Sequence, residues 1–228
     1  MKPQTSWLMA IISNQLLPTY QPKSKLSYGE LMRSLWELVK SQPVLREASL
    51  IQAMLFGAFS VFWSTLAFLL TRPPYSYGSQ AVGLFGLVGI AGILVAPLLG
   101  KITDRGTSKT LRSIVGIAIF GAIAAYWIFW QFGTQLWGLI LGSILLNLSS
   151  QGGLIANQVK IYSLVPTARS RLNTVFMVAT FLGASLGSVV GTYGWNLMKW
   201  TGVCIAGLLL IAVAAIRFWL PRTKQNPG

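Results

Sequence analysis

The sequence has few residues that could catalyse a reaction or hold a metal. It contains no histidine, one cysteine (Cys204) and only four acidic residues among 228. Without histidine the chain cannot build a His-ligated metal site or a histidine proton relay, and a lone cysteine cannot close an intrachain disulfide. No nucleophile, base and orienting group cluster together, and no glycine-rich loop ends in Gly-Lys-Ser/Thr. We therefore expect no enzyme activity, no cofactor and no metal.

Charge is also scarce, since 10% of residues are charged and 54% are apolar, whereas soluble domains carry about 25% charged residues. About 20 apolar residues cross a bilayer, and charge is absent from residues 48–71, 73–100, 113–159, 172–198 and 200–216. These runs predict six membrane helices at residues 48–70, 79–101, 112–131, 136–164, 171–198 and 201–220. No acid or histidine lies inside a predicted span, which argues against proton coupling through a buried carboxylate of this chain.

The net charge of +14 does not indicate a nucleic-acid partner, because the basic residues lie at predicted helix ends rather than on one face of a soluble fold. Sixteen of them fall in the amino-terminal tail, two loops and the carboxy-terminal tail, all on one side of the membrane. The other side has only Arg72 and Lys199. In membrane proteins, loops rich in lysine and arginine lie on the cytoplasmic side. We expect an all-α, multi-pass protein of the inner (plasma) membrane, embedded in the lipid bilayer with both termini cytoplasmic.

The chain divides by composition into three parts. Residues 1–46 read as a cytoplasmic linker with an apolar stub and an amphipathic helix, which Ser27 and Glu30 would begin as a capping box. Residues 47–220 form the predicted six-helix transmembrane bundle, and residues 221–228 form a cytoplasmic tail.

Two loop motifs carry a family resemblance. The turn after the second span contains Gly100, Asp104, Arg105, Gly106 and Lys109, and it resembles the loop signature of the major facilitator superfamily. The stretch from Asn157 to Thr174 is similar to the loop between the tenth and eleventh helices of bacterial efflux-like members.

The resemblance implies that this chain matches the carboxy-terminal six helices of a twelve-helix secondary transporter, the amino-terminal half being absent. Such a half would move a small solute by alternating access, with efflux as the expected direction. It needs a second six-helix bundle, either a separate chain or a second copy. The alternative is a non-transporting membrane fragment of a split or truncated transporter gene.

The same resemblance suggests a gating loop. Asp104 and Arg105 would form a charged latch that is made in one conformation and broken in another; the alternative is that Asp104 merely neutralises a basic loop. The predicted gating residues are Gly100, Asp104, Arg105, Gly106, Lys109, Arg169 and Arg171.

Uncharged polar and aromatic residues recur at helical spacing in the first and fourth spans. Either they make hydrogen bonds between helices or they line a solute cavity, and the resemblance favours the cavity. The predicted lining is Gln52, Phe56, Ser60, Trp63, Asn147, Gln151 and Gln158. In the fifth span, Gly183, Gly187 and Gly191 predict close helix packing, or a smooth surface for rocking of one bundle against another.

We expect Asp104→Asn to impair transport without removing the protein from the membrane, because it removes the charge of the predicted latch and keeps its shape. Solute flux and the amount of membrane-inserted protein would be measured together. Normal flux in this variant would contradict the latch.

Overall fold

The computed structural model of the chain describes residues 27–73, 75–78, 83, 85–86 and 107–220. Within these ranges all regular structure is helical, which confirms the all-α fold. The elements are α1 (Tyr28–Ser41), α2 (Pro43–Leu70), α3 (Ser108–Phe132), α4 (Leu136–Tyr162), a 3-10 turn (Pro166–Ala168) and a helical segment Arg169–Trp219. The predicted second span lies almost entirely outside the described residues.

The segment Arg169–Trp219 consists of two helices joined by a sharp reversal. Met198 (φ −133°, ψ 20°) and Lys199 (φ 52°, ψ −135°) leave helical geometry. Gly194 and Gly202 would lie roughly 12 Å apart in a straight helix. Instead, a Cβ added to Gly194 would lie 2.6 Å from the carbonyl oxygen of Gly202. The chain therefore turns back on itself, and we name its arms α5 (residues 169–197) and α6 (residues 200–219).

The helices of this bundle are long and apolar enough to cross a membrane. Among the described residues, the membrane-length segments are Pro43–Leu70, Ser108–Phe132, Leu136–Tyr162 and Pro166–Trp219. The last of these is long enough to cross twice, once in each arm. These segments confirm the prediction of a polytopic helical membrane protein.

Local sequence explains where the helices begin. Pro43 opens α2, a position where its missing N–H costs nothing. Thr107 caps α3 by accepting a hydrogen bond from the Thr110 backbone N–H at 3.4 Å.

The chain divides into two units between Ser34 and Leu35, within α1. In the first unit, Ser27 and Glu30 exchange hydrogen bonds of 2.8 and 3.4 Å between side chains and backbone, which is the predicted capping box. The backbone N–H and the hydroxyl of Ser27 hold the pKa of the Glu30 carboxyl below its usual value.

In the second unit, contacts between helices fix the direction of each. Glu47 of α2 pairs with Lys160 near the end of α4 and with Arg217 near the end of α6, so both of these helices run antiparallel to α2. The Tyr126 hydroxyl of α3 donates to the carbonyl oxygen of Ala58 at 2.6 Å. We call the end of the bundle that contains Glu47, Lys160 and Arg217 the basic end.

Aromatic side chains hold the opposite end together. The rings of Phe62 (α2) and Phe129 (α3) stack with centroids 4.4 Å apart, and Trp200 (α6) meets both edge-on. The Trp200 indole N–H donates to the Phe129 carbonyl oxygen at 2.9 Å. After α2, the Tyr75 hydroxyl donates to the Gly133 carbonyl oxygen at 3.1 Å; partial burial raises the pKa of Tyr75 to about 12, so it stays protonated.

Helices α2 and α5 run parallel and touch through backbone atoms at glycine positions. A Cβ added to Gly183 would collide with the backbone of Ala53, and one added to Gly187 would collide with that of Gly57. At Gly191 an added Cβ would lie 3.0 Å from the Val61 Cα. Successive contacts lie four residues apart on both helices, so Gly183, Gly187 and Gly191 form one stripe along α5 that faces α2. We call this interface the glycine seam.

We expect Gly187→Ala to destabilise the folded protein by about 1–3 kcal/mol, because the added methyl group overlaps backbone rather than a movable side chain. Gly29→Ala is the matched control, since nothing lies within 4 Å of a Cβ at Gly29. Thermal unfolding of the purified protein in detergent would measure both. Equal unfolding temperatures for the two variants would contradict the close packing described here.

Candidate functional site

A row of aromatic rings lies along one side of α2. Phe56 and Phe59 stack with centroids 5.3 Å apart, and Trp63 follows 6.0 Å from Phe59. Phe181 of α5 meets Phe56 edge-on at 6.3 Å. We call these four residues the aromatic row. Phe56, Phe59 and Trp63 are half-buried and Phe181 is exposed, so the row presents apolar ring surface at the edge of the described bundle.

Polar groups accompany the aromatic row. Ser60 is half-buried on the same side of α2. The Trp63 Nε1 is buried and has no hydrogen-bond partner among the described residues. A buried N–H without a partner is costly, so this donor is available to an acceptor from outside the described residues.

The predicted amide stripe divides into buried and half-buried members. Gln52 is fully buried, and its Nε2 donates to the Ser150 carbonyl oxygen at 3.4 Å. Asn147 is also buried, and its Nδ2 donates to the Ser143 carbonyl oxygen within α4 at 2.8 Å. The Gln52 bond joins α2 to α4, as the alternative interpretation expects, whereas the Asn147 bond stays within α4.

The other two amides of α4 lie nearer to solvent. Gln151 is half-buried. The Gln158 Nε2 donates to Asn173 Oδ1 at 3.3 Å, and the Tyr162 hydroxyl donates to the same oxygen at 2.9 Å. These bonds tie the end of α4 to the start of α5. Cavity lining stays a prediction for the whole set of Gln52, Phe56, Ser60, Trp63, Asn147, Gln151 and Gln158.

The predicted gating residues lie only partly within the described structure. Gly100, Asp104, Arg105 and Gly106 lie outside the described residues. Lys109 is exposed in the first turn of α3. Arg169 is exposed and its Nε donates to the Tyr162 carbonyl oxygen at 3.3 Å, while Arg171 is half-buried. Gating by these residues stays a prediction.

Sequence reasoning missed Glu47, which is a buried carboxylate. The predicted first span begins at residue 48, but α2 begins at Pro43, so Glu47 lies one turn inside a membrane-length helix and is 4% exposed. The expectation that no acid lies inside a span was therefore wrong. The signal was present: Pro43 marks a helix start, and the apolar residues Val44 and Leu45 already follow it before Glu47.

The described ranges offer no metal centre, because no three His, Cys, Asp or Glu side chains among them lie together. Cys204 is buried in α6, where it packs as a small apolar side chain.

The chain is similar in sequence to proteins named transporters. No family model matches the chain. The uncharacterized transporter YgaY of Escherichia coli O157:H7 is 35% identical over 220 residues, covering 96% of this chain and 55% of YgaY. Probable transporter SCO4007 of Streptomyces coelicolor is 34% identical over 177 residues, covering 76% of this chain and 40% of that protein. The class B tetracycline resistance protein of Escherichia coli is 25% identical over 144 residues, covering 63% and 35% respectively.

This chain corresponds to one half of a major facilitator superfamily transporter. It spans about half the length of YgaY. In the described part of this transporter half, the aromatic row and the basic end both differ in side-chain chemistry from ordinary apolar packing.

The separation of charge between the two ends predicts the orientation in the membrane. In a Gly78→Cys variant, a membrane-impermeant maleimide should label intact cells, because Gly78 is exposed beyond the opposite end of α2. In a Ser163→Cys variant, labelling should require permeabilised cells, because Ser163 is exposed at the basic end. The natural Cys204 is buried and should react little with the maleimide. The unmodified chain therefore measures background labelling. The reverse pattern would contradict a cytoplasmic basic end.

Proposed function

We propose that this transporter half moves a small, uncharged or amphipathic solute across the inner membrane by alternating access, in the direction of efflux. The observation that carries the proposal is similarity to proteins named transporters along 96% of the chain. The names of the relatives describe transport rather than catalysis, in keeping with the expectation that the chain is not an enzyme.

The aromatic row is the proposed contact with the solute. Ring faces and edges bind flat apolar surface by dispersion and quadrupole interactions. Residues 48–71, which include the α2 members of the row, carry no charge. Ser60, Gln151 and the Trp63 Nε1 would supply hydrogen bonds. This combination favours an uncharged or amphipathic solute over a strongly charged one.

We propose that a second six-helix bundle, from a separate chain or a second copy, closes the side on which the aromatic row lies. The relatives support this, since the chain covers 55% of YgaY and smaller shares of the others. In this scheme the glycine seam keeps α2 and α5 together while the two bundles rock, and the loop containing Asp104 gates the cytoplasmic side.

The proposal predicts that cells producing the chain accumulate less of a transported probe than cells without it, once a second bundle is present. Ethidium serves as the aromatic amphiphile and radiolabelled methyl α-glucoside as the neutral sugar. Phe56→Leu and Trp63→Leu should each slow efflux of the transported probe by roughly three- to tenfold, the equivalent of losing one aromatic contact.

Phe120→Leu is the matched control, because Phe120 is 73% exposed on α3 and does not belong to the aromatic row. Its efflux rate should equal that of the unmodified chain. Equal accumulation of both probes with and without the chain would contradict transport of these solute classes. Equal rates for the Phe56 and Phe120 variants would contradict the assigned contact.

A further inference from the structure

Glu47 brings three helices together at the basic end. Its Oε1 lies 2.8 Å from the Lys160 Nζ of α4, and its Oε2 lies 3.7 Å from the Arg217 Nη2 of α6. The Glu47 side chain is 5% exposed, against 16% for Lys160 and 24% for Arg217. One carboxylate of α2 thus faces a cation from each of two other helices.

The surroundings make this carboxylate depend on its partners. Leu45, two residues before Glu47, and Ala48, the residue after it, pack in an apolar cluster with Ile161, Leu172 and Phe176. A carboxylate withdrawn from water beside such a cluster is strongly destabilising unless cations compensate it. Lys160 precedes Ile161 directly, so the same turn of α4 supplies both a cation and a member of the cluster.

Nearby cations have other partners. The Arg46 guanidinium donates to the carbonyl oxygens of Val39 and Lys40 at 3.1 and 2.9 Å. The Arg112 guanidinium donates to the Phe218 carbonyl oxygen at 3.0 Å and lies 4.6 Å from the centroid of the Phe218 ring. Lys160 and Arg217 are therefore the cations that the described structure directs at Glu47.

We propose that Glu47, Lys160 and Arg217 form an ion-pair lock that holds the basic ends of α2, α4 and α6 together. At this end α2 packs on α4 and α5 through the apolar cluster of Leu45, Ala48, Ile161, Leu172 and Phe176, and the lock adds ionic contacts with α4 and α6. Because α2 and α4 carry the residues of the proposed solute contact, the lock also fixes their register.

The first test is local. In Glu47→Gln, backbone hydrogen exchange of the purified protein should rise on the order of tenfold or more in residues 43–50, 155–162 and 212–219, because two cations lose their shared partner. Exchange in residues 53–61 and 183–191, at the glycine seam, should change little. Lys40→Met is the matched control for loss of one lysine, since Lys40 is exposed on α1.

The second test separates pairing from a general loss of stability. Lys160→Met should lower the unfolding temperature more than Arg217→Met, because 2.8 Å is a closer contact than 3.7 Å. The double variant Glu47→Gln with Lys160→Met should be less destabilised than the sum of the two single effects, because each single variant loses the same contact between Glu47 and Lys160. Arg217 loses Glu47 in both variants that carry Glu47→Gln.

If Glu47→Gln fails to fold, Lys160→Met and Arg217→Met still test the lock, because each leaves the carboxylate with one cation and their unfolding temperatures can be compared. Three results would each overturn the lock: unchanged exchange at the three helix ends, an equal rise throughout the bundle, or strictly additive effects in the double variant. None of these readouts requires a transported solute, so they are independent of the outcome of the efflux experiments.

Discussion

The bundle depends on how closely α2 and α5 approach. Their backbones meet at Gly57, Gly183 and Gly187, where even one methyl group on Gly183 or Gly187 would overlap the opposing main chain. In lipid no hydrophobic effect drives helices together, so association relies on close packing and on polar contacts. The seam supplies the packing, and it leaves the opposite side of α2 free to contact α4 and α6.

The two ends of the bundle are joined by different chemistry. At the basic end one carboxylate pairs with two cations beside a small apolar cluster. At the opposite end they are aromatic stacking and hydrogen bonds from Trp200 and Tyr75 to backbone carbonyl oxygens. This difference fits the uneven distribution of charge along the sequence, since an end rich in lysine and arginine supplies the cations that stabilise a buried acid.

Much of the architecture could be predicted because lipid imposes strict rules on sequence. The uncharged runs located the membrane-length helices that the structure describes, and the spacing of Gly183, Gly187 and Gly191 indicated a packing face. What could not be predicted was which partner each polar side chain meets. Gln52 and Phe56 share a helical face, yet Gln52 is fully buried and Phe56 is half-buried, because burial depends on the neighbouring helices. Glu47 was missed because a boundary error of five residues placed it outside the membrane helix.

Lys199 combines two unfavourable properties in one residue. Its φ of 52° is a backbone conformation that glycine adopts without steric cost and lysine does not. It is also one of the two basic residues, with Arg72, that the sequence predicts on the side poor in positive charge, against the predicted charge asymmetry. Glycine would suit the hairpin between α5 and α6 on both grounds. A stabilised form of this protein, built for crystallisation or cryo-microscopy, would therefore begin with this single position in a short loop rather than with the core.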